Sequence, residues 1–104
     1  MSDNNLEEIY RTNVNLETAQ IAWKELQRFF ASGMAVHVSS ELDLVEVAFQ
    51  MSKDNAEYIQ QWMDSGKIGK VDDEQAATWI EADAMVWAVV VKPYVLVQTV
   101  YQLQ

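Results

Sequence analysis

The stretch AVVVKPYVLVQTVY, residues 88–101, decides the fold, because the same apolar run would serve a buried core, a membrane span or an exposed contact surface. Lys92 and Pro93 divide it. A spanning helix needs about 20 mostly apolar residues, and a lysine at its centre costs about 2.5–3.5 kcal/mol on insertion scales, so the interruption argues against a membrane anchor. Proline has no N–H to give to a sheet ladder and belongs at a turn or on an edge. Two strands, MVWAVVV and YVLVQTVY, joined at Lys92-Pro93, satisfy both constraints.

The rest of the chain must supply what these strands pack against. Its 104 residues, 50% hydrophobic and 11% aromatic, suit one domain with one core. Without cysteine there are no disulfides, thiolate chemistry or cysteine-bound metal clusters, which fits a reducing, cytoplasmic setting. The polar, acidic start MSDNNLEEIYRTN lacks the basic and apolar regions of a signal or transit peptide. A net charge of −9 and a pI near 4.3 would repel nucleic-acid phosphates and anionic membranes. Such a surface would suit a basic protein partner, although the lysines are scattered among the acids rather than segregated to one face.

Leu16, Ala19, Ala22, Trp23, Leu26, Phe29 and Phe30 recur at threes and fours, predicting a helix over 16–32 with Asn15 as N-cap and Gly33 as stop. MAVHVS, residues 34–39, reads as a strand. LDLVEVAFQM fits either period. Val-x-Val and a hairpin loop SSELD favour a strand, while Leu44, Val47, Ala48 and Met51 would line one face of a helix begun at Asp43. Asp54-Asn55-Ala56-Glu57 has the form of a capping box, predicting a helix ended by Gly66 with Ala56, Ile59, Trp62 and Met63 inward. KIGKV is a connector, and Asp72-Asp73-Glu74 opens another helix whose stripe is Ala76, Ala77, Trp79, Ile80 and Ala84. The expected fold is α+β: a flexible arm over 1–14, then one domain over 15–104. In it a mainly antiparallel four-stranded sheet has helices on one face, in the order α-β-β-α-α-β-β, the second strand being alternatively a helix.

ELQRFFASG, LDLVEVAFQM, DDEQAATWIEADA and WAVVVKPYVLVQ together resemble a family of small bacterial proteins, each about the length of this chain, known as a domain of unknown function. The resemblance spans residues 16–98. It implies a bacterial, cytoplasmic protein and carries no activity and no site residues with it.

His37 is the only histidine, the natural acid or base near neutral pH, and Glu46 would face it across a hairpin. No G-x-S-x-G or S-x-x-K motif accompanies it, three glycines cannot build a phosphate cradle, and the acids do not follow a calcium-loop pattern. The sequence thus leans away from an enzyme and implies no cofactor and no metal. Both final strands offer apolar side chains to both sheet faces, whereas a one-sided sheet buries only one. Trp87, Val89, Val91, Tyr94 and Tyr101 are therefore expected to form an interaction surface, and the chain to act as a homo-oligomeric interaction or regulatory module. The alternatives are a small-molecule binder or enzyme with a pocket near His37, and an acidic decoy for a basic protein.

Overall fold

The computed structural model describes residues 18–100. The final strands form as expected: β4 (Met85–Val91) and β5 (Tyr94–Thr99) pair antiparallel, with Val89 opposite Leu96 and Val91 opposite Tyr94, around a cis Lys92–Pro93 bond. No helix among the described residues is long and apolar enough to cross a membrane.

Among the described residues the sheet has five strands rather than four, in the order β1 (Ala19–Ala22), β4, β5, β2 (Ala35–Val38), β3 (Ile68–Lys70), and it is mixed. β1 lies antiparallel to β4, with Gln20 opposite Trp87. The predicted helix over 16–32 therefore yields at its front to a strand, because β4 offers residues 19–22 a ladder. A 3-10 turn at Trp23–Leu26 and the short helix α1 (Gln27–Ala31) carry the remaining helical spacing. β2 runs parallel to β5 and antiparallel to β3, so the predicted connector KIGKV contains an edge strand. The arm over 1–14, the Asn15 cap and Tyr101 lie outside the described residues.

Residues 43–52 are not a strand. Asp43 accepts hydrogen bonds from the backbone N–H groups of Val45 (3.0 Å) and Glu46 (3.4 Å), starting α2 (Leu44–Ser52). That cap, with Leu44, Val47 and Ala48 on one buried face, outweighs the extended preference of Val-x-Val. α3 (Ala56–Asp64) follows, but its expected capping box does not form. Asp54 takes a positive φ of 58°, and the Asn55 side chain donates to Gln50 Oε1 instead (2.9 Å). In α4 (Asp73–Glu81), Asp72 accepts from the N–H of Gln75 at 2.7 Å, as the acidic start predicts.

Helices cover both faces of the sheet, not one. On the first face the 3-10 turn, α1 and α4 bury Trp23, Leu26, Ala76 and Trp79 against Val86, Ala88, Val95 and Val97. On the second, α2 and α3 pack Leu44, Val47, Ala48 and Ile59 against Val36, Val38, Ile68, Val89 and Leu96. The valine-rich strands alternate between two cores, and this is why both their faces are apolar. The Trp23 indole N–H is buried and has no hydrogen-bond partner among the described residues. Ring contacts to Trp79 (4.9 Å between centroids) and Phe30 (5.9 Å) offset that cost of about 1–3 kcal/mol.

Gln98 fastens the loop that leads into α2: its Nε2 donates to the carbonyls of Ser39 (2.9 Å) and Leu42 (2.8 Å). Two net hydrogen bonds of this kind contribute about 1–3 kcal/mol. Gln98→Ala should lower the unfolding free energy by that amount, read as a lower urea midpoint with an unchanged denaturant slope. An unaltered midpoint would show that the loop holds without it.

Candidate functional site

Among the described residues a cavity lies on each side of the sheet. On the first face His37 projects from β2 and sets its imidazole edge-on to Trp79, 5.5 Å between ring centroids at 74°. Beside it lies a polar hollow of about 320 Å³ lined by Ser39, Ser40, Lys67, Gln75 and Thr99. Half-burial against the indole disfavours the imidazolium and moves the His37 pKa below its ordinary 6.5, while the Asp72 carboxylate pulls weakly the other way. Lys67 is not a free cation in this hollow, since its ammonium pairs with Glu41 and holds that carboxyl below its usual range.

Glu46 does not meet His37. It stands on α2 in the opposite layer, accepting a hydrogen bond from Gln50 Nε2 (2.7 Å), with the sheet between them. The pairing expected from a hairpin disappears because residues 43–52 form a helix across the other face. The hydroxyls near His37 belong to loop or strand-end residues. Among the described residues no three His, Asp or Glu side chains converge as a metal-ligand set would require.

The second cavity lies between α3 and the sheet. It is a groove of about 480 Å³, walled by Val36, Met51, Ile59, Met63, Ile68 and Val91. Lys70, Lys92, Tyr94 and Asp54 stand on its rim. The groove exists because α3 sits shallowly: none of its residues is buried, Ile59 and Trp62 pack only partly against the core, and Met63 is 52% exposed. Its size and lining fit small-ligand sites, which run about 300–1,000 Å³ with mostly apolar walls and a few polar groups.

The expected interaction surface is divided by the fold. Val89 is core and Val91 half-buried against it, whereas Trp87 (36%) and Tyr94 (37%) remain exposed, Tyr94 at the groove rim. Met51, Met63, Lys70 and Lys92 carry the groove and were not singled out as site residues by the sequence. The legible signal was the narrow apolar stripe of α3, flanked by Glu57, Gln60, Gln61 and Asp64, which cannot seal a sheet face.

The family model described as "Protein of unknown function (DUF2288)" matches residues 9–99. The chain belongs to the DUF2288 family. Among solved structures, the NMR solution structure of PA1075 from Pseudomonas aeruginosa is 39% identical, with a TM-score of 0.80, covering 90% of this chain and 87% of that one. No curated protein matches. The DUF2288 fold is thus shared with an experimentally determined structure, and no activity comes with it.

The depressed His37 pKa makes a signed prediction. Unfolded chains protonate this histidine near 6.5 and the folded protein only at lower pH, so its contribution to stability is full above about 6.5 and falls as pH drops below. Relative to His37→Gln, the wild-type melting temperature should fall more steeply between pH 7 and 5. Parallel curves for the two proteins would remove His37 as the cause.

Proposed function

We propose that this protein is a non-enzymatic binding module whose ligand seats in the groove between α3 and the β4–β5 turn. The observation that carries this reading is the groove itself, an open apolar cavity of about 480 Å³ with polar groups confined to its rim. The opposite hollow supports catalysis less well, because its histidine packs on Trp79 and is separated by the sheet from the carboxylate expected to assist it. Apolar walls give affinity in proportion to the area they remove from water, and a few rim groups orient the ligand.

N-phenyl-1-naphthylamine, a neutral apolar fluorophore, should brighten and shift to the blue on mixing with the protein. Ala56 is exposed and lies on the groove wall, so Ala56→Phe should fill the cavity without disturbing the core. That variant is expected to lose at least tenfold in probe affinity at an unchanged melting temperature. No probe binding by the wild type, or equal binding by the variant, would dismiss the reading.

Self-association is a second reading, favoured by Met85 (45% exposed) and Trp87 (36%), which alternate onto one face of β4. Helices on both sheet faces remove the larger motive, an entire uncovered face, so the apolar area left for a partner is small. Sedimentation velocity should give a dimer that Trp87→Lys dissociates. A strict monomer at high concentration would exclude it.

A further inference from the structure

The proposed groove is more specific than an apolar slot, because its rim reverses the charge of the rest of the chain. The protein has 16 acidic residues against seven lysines and arginines, a net charge of −9. Yet the groove lining carries Lys70, Lys92 and one acid, Asp54, a local balance of +1 from two cations less one anion. Lys24 and Lys67 find acidic partners in Asp83 and Glu41. Lys70 and Lys92 have no ion-pair partner among the described residues, although acids outnumber bases by more than two to one.

The register places both cations at one end of the sheet, and both line the groove. Lys70 pairs with Val36 and Val36 with Leu96, two residues beyond Tyr94, so the end of β3 and the Lys92–Pro93 turn lie at the same end of the sheet. The Lys70 ammonium reaches the Gly33 bend there, 3.6 Å from where a Cβ would stand. The thioethers of Met51 and Met63 and the side chain of Ile59 line the groove as flexible apolar wall.

Resting on the groove as the binding site, we infer that its ligand is a free medium-chain alkyl carboxylate. The carboxylate sits at the two lysines, and the tail lies along Met51, Ile59 and Met63. Two ammonium groups supply charge-assisted donors to the anionic head, while the tail displaces water from the apolar wall. A cationic amphipath would meet two like charges, and a neutral one would leave both lysines without an anion. The net negative field of the remaining surface slows capture of any anion, so selectivity resides in the rim contact rather than in long-range steering.

The test is displacement of N-phenyl-1-naphthylamine by octanoate, 1-octanol and octylamine, at equal chain length and low salt. Octanoate should displace the probe at a concentration at least tenfold below either of the others, and added salt should narrow the gap. Lys70 and Lys92 are both exposed, so Lys70→Gln/Lys92→Gln should fold normally. The double variant should lose the preference for octanoate while keeping its affinity for octanol. Equal displacement by octanoate and octanol overturns the carboxylate inference and leaves the groove reading intact. Failure of all three to displace a bound probe, with Ala56→Phe binding that probe normally, removes both. A groove closed by a second copy would appear as a dimer that Ala56→Phe dissociates, and a protein tail as an apolar carboxylate-ended peptide that outcompetes octanoate. Either result also overturns the inference.

Discussion

Val95, Leu96 and Val97 are each at most 1% exposed, and neighbouring side chains of a strand point to opposite faces, so β5 demands an apolar layer on both sides. Most of the architecture answers that demand. β4 and β2 flank β5, and the helices that follow β2 cross one face while those that precede β2 and β4 cross the other. Burying each such side chain contributes roughly 1.5–3 kcal/mol, so three consecutive ones outweigh most local preferences elsewhere in a small domain. A polar substitution at any of the three would enter a core, whichever face it chose.

Two-sided burial also explains the parallel pair. A strand with helices on both faces can take a neighbour that arrives by a crossover, and β2 reaches β5 in that way rather than by a hairpin. Gln98 and Ser39 serve this geometry at the point where β2 ends. The Gln98 amide holds two carbonyls of the following loop, and the Ser39 N–H donates to the Lys67 carbonyl beside β3 (2.8 Å). The chain is thereby turned from the end of β2 into α2 with the Ser39 N–H and the Ser39 and Leu42 carbonyls paired.

The paired strands around Pro93, the acidic cap at Asp72 and the two helices α3 and α4 were legible because each is a local signal in the sequence, but Ala56 and Met63 of the first expected stripe and Ala77 and Ile80 of the second are exposed. The misreadings arose where two local signals competed and a distant partner decided. Val45 and Val47 suggested a strand, but Asp43 capped a helix whose buried face needed the second sheet surface. Ala19 and Ala22 continued a helical spacing, but the ladder of β4 captured them. A strand over 43–52 would leave the second sheet face without α2, and this is why Val89 is expected at the surface when it is core. The groove was hidden for the same reason, since a cavity under α3 presupposes a second helical layer.

The ends of α3 account for the groove beneath it. An amphipathic helix over an apolar void would gain by dropping toward the sheet, because the lining of an unfilled space forfeits dispersion contacts. Here both ends are fixed. At the start, Asp54 adopts a positive φ, and Asn55 bonds to Gln50 through its backbone N–H (3.0 Å) and its side chain (2.9 Å). At the finish, Gly66 at φ 76° closes the helix, with its N–H bonded to the Met63 carbonyl (3.1 Å) and that of Lys67 to the Trp62 carbonyl (2.8 Å). The Lys67 carbonyl is in turn held by Ser39. With its termini set by backbone geometry, α3 is held above the sheet, and the space beneath it is lined by Met51 and Met63, unbranched side chains that fit irregular gaps.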